Sequence, residues 1–275
     1  MGYGAAPSPR RSSVAAMDRD ELLDLYDRHE RREARPAGWR VELGARTVRH
    51  VGAAGEPSWV IWSDLSEADA DAAIAAEQAR FVALGQGFEW KHFGHDAPAD
   101  LLARLLAAGF VAEEAEALMV LDLHAPPGWL DHDGGPDVQA LGIEGWDDVA
   151  RVLVAVWPHL ADEFVPRFRR EIEAAPERVR LFVAYSGEAP VAAAWTVDGG
   201  PASPFLGLFG GATLPEHRGR GLYRALVAAR ARFAWARGKR FLTVDAGPMS
   251  APILARLGFV RLTTTTPCGW GPPRS

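Results

Sequence analysis

The chain has 275 residues, of which 48% are hydrophobic and 24% charged, and its formal net charge is −6. That length suits two domains of ordinary size and that composition builds a normal core, whereas the acidic balance argues against a protein that coats nucleic acid, which needs a basic surface. A single cysteine, Cys268, excludes an internal disulfide and a cysteine metal cage, and fits a reducing cytoplasm.

No run approaches the roughly 18 apolar residues of a membrane span. Residues 1–16 are rich in Gly, Pro, Ser and Ala and lack the apolar centre of a secretory signal, so a disordered leader is predicted there, with Met17 a second candidate start. Order begins at DRDELLDLYDRHERREAR, where Leu22, Leu23 and Tyr26 fall at helical spacing behind an acidic first turn. Strands are predicted at WRVEL, TVRHVG and SWVIWSDL, then a helix from Glu67 to Leu84 capped by Ser66 with Asp69 three residues on. A strand FEWKHF, a helix ADLLARLLAAG and a strand pair within FVAEEAEALMVLDL complete the first half, residues 17–123. Residues 124–137, HAPPGWLDHDGGPD, read as a linker.

The second half, residues 138–275, starts with a strand VQAL and a helix EGWDDVARVLVAVW. A helix near Arg167 to Ala174 follows, then a hairpin turning at Ser186, Gly187 and Glu188. The strand FLGLFGGATL leads through LPEHRGRG into a helix with Leu222, Leu226, Ala229 and Phe233 on its apolar face and Arg224, Arg230 and Arg232 off it; Gly238 is its natural C-cap. A strand FLTVDA, a helix SAPILARL and a strand FVRL close the pattern. LARLLAAGFV in one half echoes ILARLGFV in the other, each in a strand–helix–strand context, so a degenerate tandem duplication stands open beside coincidence.

The stretch from Arg218 to Arg224 sits where a strand ends and a helix starts. Free N–H groups of a first helical turn, with glycine allowing close approach, suit a phosphate, and Arg218, Arg220 and Arg224 can add charge from the edges. A tight turn with solvated arginines is the bland alternative. The dinucleotide fingerprint fails, because Arg224 stands where its third glycine belongs; the NTPase phosphate loop fails, because Arg240 follows Gly238-Lys239.

PEHRGRGLYRAL resembles the central motif of the GCN5-related N-acetyltransferase (GNAT) superfamily, with Arg218 and Gly221 matching and Tyr223 departing from the usual small residue. Gly210-Gly211 within the preceding strand fits the family's bulge, and FLTVDAGPMSAPILARLGFVRL repeats its later layout. The resemblance covers Val138 to about Leu262. It implies a mixed α/β fold with a central mixed sheet, in pseudo-tandem if the halves are related, and acetyl-CoA as cosubstrate without a metal. Main-chain groups of Gly211, Ala212 and Thr213 would meet the pantetheine, and Arg218, Gly219, Arg220, Gly221, Leu222, Tyr223 and Arg224 the phosphates.

An amine acceptor must lose a proton, and Asp245 is the first candidate base, its alternative being to cap the Gly247 turn. His159 and Glu163 lie where the family shapes its acceptor site and are expected to be surface or substrate-binding groups, while Glu216 should face solvent. The family's thiolate-protonating tyrosine falls at Leu254, which has no proton to give; Ser250 could supply one, although capping the following helix is its expected role. The first half lacks the cofactor loop, and Asp64, Glu67 and Asp69 there would repel a pyrophosphate, leaving it to wall the acceptor cleft or to dimerise. The resemblance thus implies a cytoplasmic N-acetyltransferase acting on a small-molecule or peptide amine, with no nucleic-acid or membrane partner. A non-catalytic acyl-CoA-binding module is the alternative that Tyr223 and Leu254 suggest.

Overall fold

A computed structural model describes residues 17–131 and 136–271. The predicted leader, 1–16, and the middle of the predicted linker, 132–135, lie outside the described residues. The chain opens on α1 (Arg19–Tyr26), which runs on as a wider π-helical turn (Asp27–Arg32). Asp18 starts α1 by accepting from the Glu21 N–H at 2.8 Å, and the Glu21 carboxylate takes the Asp18 N–H in return. Next come β1 (Arg40–Leu43), β2 (Thr47–Val51), β3 (Trp59–Ser63), α2 (Ala70–Leu84), β4 (Phe88–Phe93), α3 (Leu101–Ala107), β5 (Val111–Ala112) and β6 (Glu116–Asp122). The second half supplies β7 (Val138–Leu141), α4 (Trp146–Val156), α5 (Phe164–Ala174), β8 (Val179–Ser186), β9 (Ala189–Asp198), β10 (Phe205–Thr213), α6 (Leu222–Ala236), β11 (Phe241–Ala246), α7 (Ala251–Arg256) and β12 (Val260–Trp270).

All these strands join one mixed sheet, in the order β1-β2-β3-β4-β12-β6-β11-β10-β9-β8-β7, with β5 added beside β12. Helix α1 covers one face at its centre, where Leu22, Leu23 and Tyr26 pack on Phe93, Leu118, Val120, Phe205, Phe241 and Leu262. Each such fully buried side chain contributes about 1.5–3 kcal/mol. Helices α6 and α7 cover the other face through Leu206, Leu208, Leu242, Leu254 and Phe259. Helices α4 and α5 lie on the α1 side, over Leu181, Val183, Trp195 and Ala212.

Several predicted elements take other bounds. Helix α2 begins at Ala70 rather than Glu67, because the Ser66 N–H is held by the Asp69 carboxylate at 2.6 Å and the intervening residues form a separate turn. The expected strand pair after Phe110 is not a pair: β5 bonds to β12, and β6 enters the second half between β11 and β12. Strand β12 does not stop at Leu262 but continues to Trp270, where it bonds β4 of the first half. Each half therefore lends its last strand to the other.

The exchange is near-symmetric. Val111 and Ala112 face Gly269 and Cys268, just as Val260 and Arg261 face Val120 and Met119. The helices before them end alike: Gly109 and Gly258 both take positive φ, 88° and 93°, and the Phe110 and Phe259 N–H groups donate to the Leu105 and Leu254 carbonyls, each at 3.1 Å. The sequence echo thus marks equivalent places in two similarly built halves.

Candidate functional site

Strands β10 and β11 run parallel and are paired from Phe205 with Phe241 to Gly207 with Thr243. Their register ends there, although β10 continues to Thr213 and β11 to Ala246, so the two strands part and leave a cleft. At the same level β10 bulges against β9. Phe209 faces Trp195 and Ala212 faces Ala193, so Gly210 and Gly211 share the place opposite Ala194. Gly210 has φ 61°, and a Cβ on it would stand 1.6 Å from the Trp195 ring. Only glycine passes there. A Cβ on Gly211 would meet the Tyr223 ring at 2.7 Å, so this ring lies directly against the bulge.

Beyond Thr213 the chain makes a 3-10 turn (Pro215–His217), then the glycine loop. The Arg218 side chain donates to the Thr213 carbonyl at 3.2 Å, and that of Arg220 to the Glu216 carbonyl at 3.2 Å, which fold the loop back on itself. Gly219 and Gly221 take φ 74° and 80°, with open space where their Cβ atoms would be. Helix α6 then starts at Leu222 with no side-chain cap, so the donors of its first turn face outward. Arg218, Arg220 and Arg224 are exposed around it, as is Glu216. An anion fits this place by its chemistry: uncapped donors, a positive helix end and three guanidinium groups. Leu222 and Ala212 point their side chains into the core, so each offers the cleft only main chain, and Thr213 keeps a buried hydroxyl that finds no partner.

Tyr223 and Arg230 stand on the inner side of α6. Burial holds the Tyr223 phenol above its ordinary value of 10.0, against the pull of the Arg230 charge. Arg230 is expected off the apolar face, but it is only 2% exposed. Its Nε donates to the Leu226 carbonyl at 3.1 Å and its Nη1 to the Phe209 carbonyl at 3.2 Å. Burial drags its pKa down to about 10. Ser250 does not cap α7, as expected of it; its hydroxyl donates to the Gly247 carbonyl at 3.3 Å. Leu254 is fully buried in the core.

Asp245 lies on the α1 side of the sheet, where alternation along β11 puts it with Phe241 and Thr243. Rather than capping a turn, it is tied to Lys91 of β4 at 2.5 Å, while its other oxygen is buried without a partner. The pairing keeps Lys91 above its ordinary pKa even though burial opposes this. Glu116, on β6 two residues before the Leu118 that faces Asp245, shares this surface, and burial followed by the charge of Asp245 pushes its pKa up. His159 and Glu163 are both exposed, on the turn before α5 and at its start, and no hydrogen bond or ion pair joins either to Asp245 among the described residues. Their neighbour Phe164 packs on Trp195 at 5.8 Å, and Trp195 lies parallel to the half-exposed Phe209 at 6.4 Å, which brings the start of α5 to the bulge.

Glu116, Lys91, Phe209 and Arg230 escape a reading of the sequence. Arg230 alone left a signal: it lies four residues after Leu226 and seven after Tyr223, inside the buried stripe. A hollow of about 720 Å³ beside Asp198, Ser203 and Lys239 lies at the far end of β10 from the glycine loop, so it takes no part in this arrangement.

A mixed sheet with two parallel strands splayed beside a glycine bulge, leading to an uncapped helix start, defines an α/β protein with a cleft at the parting of its two central parallel strands. Residues 146–259 match the model of the Acetyltransferase (GNAT) family. Solved structures agree over nearly the whole chain. A GCN5-related N-acetyltransferase from Kribbella flavida matches with TM-score 0.63 at 16% identity, covering 91% of this chain and 93% of its own. A tandem GNAT protein from the clavulanic acid biosynthesis pathway matches with TM-score 0.56 at 15% identity, covering 87% and 86%. A GCN5-related N-acetyltransferase from Sphaerobacter thermophilus matches with TM-score 0.55 at 14% identity, covering 91% and 84%. At such identities the likeness establishes the fold. No curated protein matches the sequence.

Proposed function

We propose that the protein is an acetyl-CoA-dependent N-acetyltransferase acting on a primary amine of a small molecule or peptide. The observation that carries this reading is the alignment of three features along β10: the parting from β11, the Gly210-Gly211 bulge and the uncapped start of α6. Main-chain groups of Gly211, Ala212 and Thr213 receive the pantetheine along the unpaired edge of β10. Residues 218–224 take the pyrophosphate on N–H groups and arginines. The freed N–H groups of the bulge are the donors for the developing oxyanion.

The acceptor enters from the α1 side, where Phe209, backed by the buried Trp195, offers apolar surface and Asp245 and Glu116 negative charge. That lining suits an ammonium group on an apolar or aromatic frame. Asp245, bound to Lys91, holds and orients the amine, and Glu116, with its raised pKa, takes the proton that the attacking nitrogen loses. His159 and Glu163 border the entry. In this reading residues 17–123 and 138–275 are duplicates joined by 124–137, and the first has given up its cofactor site to wall the acceptor side. The buried, apolar Leu254 favours the second reading, a module that binds acyl-CoA without transfer.

Calorimetric titration with acetyl-CoA, together with release of free thiol over a panel of amines, separates the two. Binding with amine-dependent thiol release is expected. Binding with no release from any amine supports the second reading, and no binding sinks both. Replacing Gly219 and Gly221 together by Asp should weaken acetyl-CoA binding at least about tenfold, because like charge then meets the phosphates.

A further inference from the structure

Of the 30 basic side chains in the sequence only two are lysines, Lys91 and Lys239; the rest are arginines. The difference matters next to a thioester, since a lysine can become a neutral, nucleophilic amine whereas an arginine stays charged. Both lysines are locked to an aspartate. Lys239 lies at the far end of β10 from the glycine loop and uses three donors, on Asp198 at 2.6 Å, the Gly200 carbonyl at 2.8 Å and the Ser203 carbonyl at 2.9 Å. Lys91 is placed differently. Gly207 of β10 faces Thr243 of β11 where the strands part, so Phe209 and Asp245, two residues on, stand level across the opening, just before the Gly210-Gly211 bulge. Lys91 reaches this level from β4, puts its Nζ 2.5 Å from Asp245 and stays 23% exposed. An ammonium on Asp245 is the arrangement proposed above for the acceptor, so the protein holds an amine of its own in the acceptor's place.

We propose that Lys91 is a latent internal acceptor of the acetyl group, and that Asp245 keeps it unreactive by holding it as the ammonium. This rests on the acetyl-CoA reading above. Three carboxylates act on Lys91: Asp245 on β11, Glu89 on its own strand and Glu116 on β6. Tyr26 of α1 and the Arg31 guanidinium share the Phe93 ring with it. Burial works to discharge the ammonium, and the carboxylates, Asp245 foremost, outweigh it and hold the pKa above its ordinary value. A nitrogen that keeps its proton has no lone pair to offer. With the charge of Asp245 removed, burial prevails, and the neutral Nζ can bond to the acetyl carbon. The C–S bond then breaks and its electron pair leaves on sulfur; the proton lost by nitrogen passes to Glu116, and the thiolate takes one from water. The product is an uncharged acetyl-lysine that can no longer pair with an acid. The Lys91–Asp245 pair thus lets an outside ammonium be bound beside it without loss of cofactor to the protein itself.

The full chain is incubated with acetyl-CoA and no added amine, and acetylation of Lys91 and Lys239 is followed by peptide mass spectrometry. At neutral pH, Asp245→Asn should label Lys91 at least about tenfold faster than the unaltered protein, because loss of an adjacent opposite charge moves a pKa by about one unit or more. Lys239 should stay unlabelled in both and serves as the internal control. Adding Gly219→Asp and Gly221→Asp to Asp245→Asn should abolish the label. Equal rates with and without Asp245, a label that survives the loop changes, or one that appears equally on Lys239 overturns the proposal. If Asp245→Asn does not fold, the unaltered protein decides: labelling of Lys91 should rise about tenfold per pH unit between about pH 7 and pH 9, and no label there over that range sinks the idea. If calorimetry shows that the unaltered protein does not bind acetyl-CoA, the cofactor reading itself has failed, a result distinct from binding without a label on Lys91.

Discussion

Two strand pairs in the sheet run parallel and then part: β3 with β4 in the first half and β10 with β11 in the second. Strands β3 and β4 share register only at Trp59 with Glu89 and Val60 with Trp90. Strand β3 also bulges, since Arg49 faces Val60 and Val48 faces Trp62, which leaves Ile61 as the extra residue. In the first half this opening is closed. Arg31, from the turn after α1, donates to the Ile61 carbonyl at 2.9 Å and to Asp96 at 2.7 Å, and its guanidinium lies 3.8 Å over the Phe93 ring. No glycine stands at the bulge, and acidic residues precede α2. The second opening keeps two glycines and a cation without an acidic partner among the described residues. One backbone design is thus filled by a complete ion pair in the first half and keeps its cation unmatched in the second.

The largest effect should come from unfilling the first opening. Arg31→Met leaves the buried Asp96 without its ion-pair partner and should cost about 3–5 kcal/mol, read by chemical denaturation. Arg230→Met removes a cation that has no acidic partner and should cost less than half as much; equal costs would erase the distinction between the two openings. A second comparison concerns the bulges. Gly210→Ala puts a methyl group into the Trp195 ring at a positive φ and should cost roughly 3 kcal/mol, against about 1 kcal/mol for Ile61→Ala, whose backbone accepts any side chain.

A pH dependence should also arise in the first half. His50, on β2 beside the filled opening, is buried and its pKa is lowered by that burial to about 4. An unfolded histidine protonates near 6.5, so the unfolded chain binds more protons between these values and stability falls as pH falls through that window. About 1.5 kcal/mol should be lost between pH 6.5 and pH 5, and His50→Gln should flatten this slope in denaturation measurements. An unchanged slope would show that His50 is not the group responsible.

Local pattern made much of this legible. The strands around the Ser186-Gly187 hairpin, the glycine bulge and the loop before α6 all announce themselves, since each depends on residues close in sequence. What stayed hidden depends on which distant strands become neighbours. Nothing in FVRL tells that the strand runs on through TTTTPCGW into the other half, because a run of threonines carries no apolar alternation to follow. Lys91 and Asp245 are 154 positions apart and meet only across the exchanged strands. Arg230 reads as one more solvated arginine on a helix rich in them, and only packing reveals that it points inward.

The exchange of β6 and β12 also sets a timetable. As the chain is synthesised, β4 and β6 emerge with open edges that only residues 241–270 can cover. The native sheet is therefore complete only once residues 241–270 have been made. Such long-range pairing is slow and leaves strand edges exposed in the interval. A ribosome that stalls after β6 thus releases an adhesive fragment, not half a protein.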